Sequence, residues 1–151
     1  MVFNMPKTQP STRDQFLHFQ AIPTRWMDND VYQHVNNVVY YSFFDTAVNQ
    51  FLIEQNALDI EHSTIIGLVV ETQCQYFAPI TFPQVVTSGL RVDKVGKSSI
   101  HYGVGLFCEE DNDASAQGSF IHVYVDRLSR RPVLIPKPML EALIKISPSF
   151  S

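Results

Sequence analysis

The run Thr24-Arg25-Trp26-Met27-Asp28-Asn29-Asp30-Val31-Tyr32-Gln33-His34-Val35-Asn36-Asn37 places two carboxylates, an imidazole and two terminal amides in one short polar stretch. A carboxylate so placed can activate a water or attack a carbonyl itself. The residues that follow have a helical pattern, so the run ends at a helix start. Unpaired N–H groups and the positive end of the helix dipole gather there. An oxyanion forming at that point would be stabilised before any side chain contributed. Asp28 and Asp30 are two apart and point the same way in extended chain. Asp, Asn and His ahead of a helix also serve as caps and turn formers, so spacing alone leaves both readings open.

The elements that must position this run are legible on both sides of it. Upstream, Phe16 to Trp26 is predicted as a strand with Phe16, His18, Gln20, Ile22, Thr24 and Trp26 on one face. Pro23 cannot donate to a ladder and puts that strand at a sheet edge. Downstream, Val38 to Gln55 is predicted as a helix. Tyr40, Phe44, Val48, Phe51 and Leu52 form one apolar row, and Val39, Phe43 and Ala47 a second beside it. So wide a stripe means a helix buried over most of its circumference. Asn36 or Asn37 is the candidate N-cap. Asp45 lies on this helix and is expected to need a polar partner; it is the reserve catalytic carboxylate.

The rest reads mainly as strand: Thr64 to Phe77, Val85 to Val95, Ser99 to Cys108, and Ala114 to Asp126. Lys94-Val95-Gly96-Lys97 reads as a hairpin corner. Val86, Leu90 and Val92 share a face, as do Ile100, Tyr102, Val104, Leu106 and Cys108, and in the last strand Ile121, Val123 and Val125. Pro138 to Ile146 closes as a short helix. One strand, one long apolar helix and four antiparallel strands make an α+β fold. A curled sheet is expected to wrap the helix, and its edges call for a second copy.

The chain has 151 residues, 45% of them hydrophobic and 17% charged, which suits one globular domain, read as residues 15–147 after a flexible tail at 1–14. The net charge of -4 argues against nucleic acid or anionic membrane as partners. Met1 to Asp14 lacks the apolar core of a secretory signal, and no run is long enough to span a bilayer. With Cys74 and Cys108 read as buried free thiols, the expected location is the cytoplasm. There is no Gly-x-Ser-x-Gly elbow. Gly103-Val104-Gly105 lies inside a strand and is not a dinucleotide loop. His18, His62, His101 and His122 have no partner at metal spacing, so no metal site is expected.

Trp26, Asp28, Asp30, His34-Val35-Asn36-Asn37 and Tyr40 together resemble the signature of the 4-hydroxybenzoyl-CoA thioesterase family of hotdog-fold proteins. Tyr41-Ser42-Phe43-Phe44-Asp45, Tyr76-Phe77-Ala78-Pro79 and Val95-Gly96-Lys97-Ser98-Ser99 extend the likeness, which runs from about Phe16 to Ile146. The resemblance implies an acyl-CoA thioesterase of the EC 3.1.2 type, a homodimer or homotetramer, with no cofactor beyond the coenzyme A of the substrate. It implies Asp30 as general base or nucleophile and the backbone N–H of Asn37 as the donor to the thioester oxygen. His34 enters as an organiser of the loop or a second catalytic group. Lys97, Ser98, Ser99, Tyr76 and Arg131 are the expected substrate-binding residues, the cations serving the coenzyme A phosphates. Gln33 stands where the family usually has Gly, so the loop must adopt a strained turn or shape the pocket differently.

Two other classes fit the fold. A hotdog enoyl-thioester hydratase or dehydratase pairs an Asp with a His five residues later around Asn-Pro. Here Asp28 to His34 is six, Asp30 to His34 is four, and no Pro intervenes. A non-catalytic acyl-CoA binder would not need Asp30.

Overall fold

The computed structural model describes residues 8–148. Its main elements are β1 (His18–Pro23), α1 (Val39–Glu54), β2 (Ile65–Tyr76), β3 (Val85–Val95), β4 (Ser99–Cys108), β5 (Ala116–Asp126) and α2 (Lys137–Ile144). The strands form one sheet in the order β1-β3-β4-β5-β2, with every neighbouring pair antiparallel. Pro23 closes β1 at one edge, where its missing donor costs no ladder bond. β2 is the other edge.

α1 buries Tyr40, Phe43, Phe44, Ala47, Val48, Phe51 and Leu52, the two predicted apolar rows. These join Val86, Leu90 and Val92 of β3 and Ile100, Tyr102, Val104 and Leu106 of β4 in one hydrophobic cluster. Met139, Ala142 and Leu143 of α2 complete it. Asp45 is on the outer side of α1. It is exposed, and its carboxylate accepts from the Asn49 amide at 2.9 Å, so the expected buried partner is replaced by solvent and a neighbour one turn on.

Two expectations are corrected and a third is made specific. In β5, Ile121, Val123 and Val125 do share a face, but it is the one turned from the core: Phe120, His122 and Tyr124 face the core, Ile121 and Val123 are half-buried opposite them, and Val125 is buried there. Aromatic side chains outweigh β-branched ones here because only they fill the space against Tyr102. The first strand stops at Pro23. The chain then turns through a short 3-10 segment at Trp26–Asp28, which swings Trp26 out to 76% exposure, off the face it was assigned. Of the expected tail, residues 1–7 lie outside the described part, but Ser11 to Asp14 are not free. Ser11 and Thr12 bond to Gln117, Ala114 and Asp113, and the Arg13 guanidinium donates to the Glu109 and Asp111 carbonyls. Phe16 follows and packs with Phe107 and Ala114 in a second small cluster.

Candidate active site

The site is built where the loop after β1 returns to the N-terminus of α1. Asp28 anchors it. Its carboxylate is 1% exposed and accepts from the Arg25 backbone N–H at 2.7 Å and the Arg25 guanidinium at 2.8 and 3.2 Å. Its carbonyl takes the Asn36 N–H at 2.8 Å, tying the loop's start to its end. The ion pair holds the Arg25 guanidinium above its usual range, chiefly through the hydrogen bonds to Asp28. Asp28 is thus fully occupied as a structural acceptor.

Asp30 is half-buried and starts a tight turn. Its N–H donates to the His34 carbonyl at 2.9 Å, its carbonyl accepts from the Gln33 N–H at 3.0 Å, and Oδ1 accepts from the Tyr32 N–H at 2.8 Å. Oδ2 has no partner among the described residues. It is therefore His34's carbonyl, not its imidazole, that organises the loop; the ring is exposed at the cleft. Gln33 takes φ 67°, the left-handed turn a glycine would accept without cost. Of the two expected outcomes, Gln33 takes the strained turn.

Neither Asn36 nor Asn37 is the N-cap expected of them: Val38 holds that position with no side-chain cap bond, and Asn36 acts two residues earlier, in the turn that leads into α1. Asn36 Oδ1 takes the Val38 N–H at 3.0 Å and its carbonyl the Val39 N–H at 2.9 Å. Among the described residues the Asn37 N–H has no acceptor. Its carbonyl accepts from the Tyr76 hydroxyl at 2.8 Å, which pins residue 37 against β2. Tyr76 stands edge-on to Tyr40 at 4.8 Å. Burial pushes the Tyr40 hydroxyl up to about 12 and the Cys74 thiol up to about 11, and raises Tyr76, so all three remain protonated at neutral pH.

Asp30 lies between two cavities. One of about 480 Å³ is lined by Asp30, Tyr32, His34, Asn37, Tyr40 and Tyr76, with Phe77 to Pro79 as its floor. The other, of about 520 Å³, is lined by Asp30, Trp26, Met27, Gln33, Thr81 and Phe82, with Asn29 beside them. Asn29 fixes this second wall by accepting the Phe82 N–H at 3.2 Å. The sequence reading missed Met27, Thr81 and Phe82. An exposed Trp-Met pair next to the acidic run was the available signal.

Asp30, His34, Asn37 and Tyr76 are thus brought to one cleft. Lys97, Ser98, Ser99 and Arg131 are not. The Asp30 loop touches the start of β3, through Thr24 on Gln84 and Pro23 opposite Val85. Lys97 follows the end of β3, where its carbonyl accepts from the Ile135 N–H, and the Arg131 carbonyl accepts the Asp126 N–H at 2.9 Å at the end of β5. A strand of that length separates its ends by about 30 Å. Among the described residues no three His, Cys, Asp or Glu side chains gather as a metal site would require. No helix in that part of the chain is long and apolar enough to cross a membrane.

Residues 24–143 match the model of the thioesterase-like superfamily. The crystal structure of the PA5185 protein from Pseudomonas aeruginosa strain PAO1 is 53% identical over 94% of this chain and 99% of its own, with a TM-score of 0.90. The PA2801 protein of the same species is 27% identical over 84% of this chain and 98% of its own, at a TM-score of 0.79. Slr0204 of Synechocystis, a 1,4-dihydroxy-2-naphthoyl-CoA thioesterase, is 15% identical over 83% and 93%, at 0.76, and shares the hotdog-type fold. No curated protein matches the sequence.

Proposed function

The chain belongs to the thioesterase-like superfamily, and from that premise we propose that it hydrolyses acyl-CoA thioesters, with Asp30 as general base or nucleophile and the Asn37 N–H as oxyanion donor. The observation that carries this is the pairing, in one cleft, of a half-buried carboxylate having one free oxygen with an unsatisfied N–H at a helix N-terminus. In the base route, Oδ2 takes a proton from water as the oxygen attacks the thioester carbon. The carbonyl oxygen gains charge against the Asn37 N–H and the α1 dipole. The C–S bond then breaks, and the proton on Asp30 passes to the leaving thiolate. In the nucleophile route, Asp30 attacks the thioester carbon, the C–S bond breaks to expel the coenzyme A thiolate, and water cleaves the resulting mixed anhydride to the free acid and the Asp30 carboxylate, its proton going to the thiolate. Tyr76 orients residue 37 through its carbonyl, and His34 fixes the Asp30 backbone.

The resemblance of the run from Trp26 to Tyr40 to their signature supports reading the chain, within the superfamily, as a relative of the 4-hydroxybenzoyl-CoA thioesterases. In this reading the sheet curls about α1, residues 15–147 act as one domain, and the free thiols Cys74 and Cys108 suit the cytoplasm. The working form is a homodimer or homotetramer. β2 is an edge strand paired only with β5, and Leu68, Val69 and Val70 on it are exposed. Such an edge is normally covered. A partner also brings a second Lys97 and Arg131 within reach of the coenzyme A phosphates. No cofactor is required beyond the substrate's own coenzyme A.

The test is release of free thiol from a panel of acyl-CoAs. Asp30→Asn should lower kcat at least about a hundredfold, while Asp45→Asn should change it little. Undiminished release from Asp30→Asn sinks the assignment. Tight acyl-CoA binding with no release from any substrate marks a binder instead.

A further inference from the structure

β2 runs from the far end of α1 to the cleft. It begins at Ile65, after a turn at residues 59–63 that shares a hollow with Ile53 in the last turn of α1. It ends at Tyr76, whose hydroxyl donates to the Asn37 carbonyl ahead of the first turn. α1 has 16 residues and is about 24 Å long, so the turn and the cleft of one chain cannot meet. Both nevertheless carry apolar side chains in solvent. Val31 and Tyr32 follow Asp30, and Val38 follows Asn37; all three are exposed, Val31 to 88%. Ile60 in the turn is 65% exposed.

The free edge of β2 relates the two patches. Two copies of one edge strand pair about a two-fold axis, antiparallel, so that residue i faces j and j faces i. The exposed Leu68, Val69 and Val70 mark where that axis passes. An axis through Val69 sets Tyr76 opposite the partner's His62. An axis at the middle of the strand, between Val70 and Glu71, sets Pro79 opposite it. Tyr76, Phe77, Ala78 and Pro79 all line the Asp30 cleft, so either register lays the partner's turn along it. The turn holds its own shape. The Asp59 carbonyl accepts the Ser63 N–H at 3.0 Å, and its carboxylate accepts the N–H groups of Glu61 at 3.1 Å and His62 at 3.2 Å. The Arg127 guanidinium braces it from β5, donating to the Ser63 carbonyl at 3.2 Å. That cation comes with the turn to a cleft lined by Asp30 and by no Lys or Arg, so the two faces are complementary in charge.

Resting on the Asp30 assignment and the β2 dimer above, we propose that the cleft is completed in trans: the partner's Ile60 packs over Val31, Tyr32 and Val38, and the partner's turn supplies the wall that a single chain leaves open. Each chain then roofs the other's cleft. The roof takes water from around Asp30 and the Asn37 N–H, and the charge developing between them is less screened.

The experiment treats the full-length Tyr32→Cys/Ile60→Cys variant with a short bismaleimide and separates the products on a denaturing gel. Each single variant and the wild type run beside it to report any linking through Cys74 or Cys108. The double variant should give a covalent dimer well above that background. Ile60→Asp, at a position exposed in the single chain, should keep its far-UV circular dichroism and lower kcat/KM for acyl-CoAs at least about tenfold, while Ile60→Leu should keep the wild-type value. No covalent dimer above background from a protein whose wild type hydrolyses acyl-CoA overturns the trans wall and leaves the thioesterase reading intact. Full activity in Ile60→Asp does the same. A covalent dimer without hydrolysis by the wild type upholds the wall and overturns the catalytic reading. Absence of both overturns both.

Discussion

At the scale of single residues, the loop gives each of its two carboxylates a different task. Asp28 is buried with three N–H donors on it, while Asp30, two residues later, spends one oxygen on a turn and leaves the other free. Removing Asp28 strips the loop of its anchor without touching the reacting atoms. Asp28→Ala is expected to cost about 1–2 kcal/mol in urea unfolding and to lower kcat less than Asp30→Asn does. A larger kcat loss in Asp28→Ala than in Asp30→Asn would reverse the two roles. Gln33 carries a different cost. A left-handed residue other than glycine forfeits about 1–2 kcal/mol, against which glycine loses about 0.5–1 kcal/mol of unfolded-chain entropy. Gln33→Gly should therefore be neutral to slightly stabilising, and Gln33→Val should destabilise by more than about 1 kcal/mol, because a β-branched side chain fits that region worst. Equal midpoints in urea for all three proteins would contradict the strain argument.

At the scale of elements, packing against glycine backbone explains what the pattern alone left open. Gly118 of β5 has the tightest approach. A Cβ built there would lie 1.8 Å from the Gln73 carbonyl oxygen and 2.9 Å from the Phe44 ring. Gly118→Ala must push β2 off β5 or displace Phe44 from the core, so it should destabilise by about 3 kcal/mol, at the upper end of overpacking costs; an unchanged thermal midpoint would show that the contact relaxes freely. Gly89 and Gly105 similarly make room for Phe16, each with a Cβ position 2.7 Å from its ring. Here the limits of the sequence are plain. The apolar period of α1 and the core face of β4 were legible because each meets one environment along its whole length, whereas the opposite face of β4 runs from half-buried His101 to Phe107 buried under Phe16. The inward face of β5 was not, since Ile121 and Val123 outrank His122 and Tyr124 in apolarity, and only tertiary packing reverses them. For the site, the contiguous run from Asp28 to Asn37 was readable because its residues are neighbours in sequence. Phe82 and Thr81 were not, since a fold brings them to Asp30 from far along the chain. Lys97 and Arg131 could be noticed as cations, but no spacing rule gives their distance from Asp30 along the length of β3.

At the scale of the whole molecule, two properties follow from what is buried and what is left open. His122 is 3% exposed in the core, and burial pushes its imidazole from 6.5 down to about 4. The unfolded chain therefore binds a proton that the folded one refuses between those values, and stability falls as pH drops through that window. The loss should reach about 3 kcal/mol at the acid end. Asp59 and Asp126, whose carboxyls are held low by backbone N–H bonds, contribute only below it. Chemical unfolding of His122→Phe across the same range should show a flatter profile, and an identical slope would exclude the imidazole. The open β2 edge leads to the second property. Lys97 lies about a β-strand's length from the Asp30 of its own chain, so in the proposed dimer a substrate held by both groups would span two protomers. Asp30→Asn and Lys97→Glu, each weak alone at low substrate, then place their defects in opposite halves of a shared site. In a mixed dimer one site carries both defects and the other carries none. Unfolding and refolding the two variants together should restore roughly a quarter of the wild-type rate, half of the dimers being mixed and half of their sites intact. If Lys97 served its own chain's Asp30, every site in the mixture would keep one defect, and mixing would restore nothing.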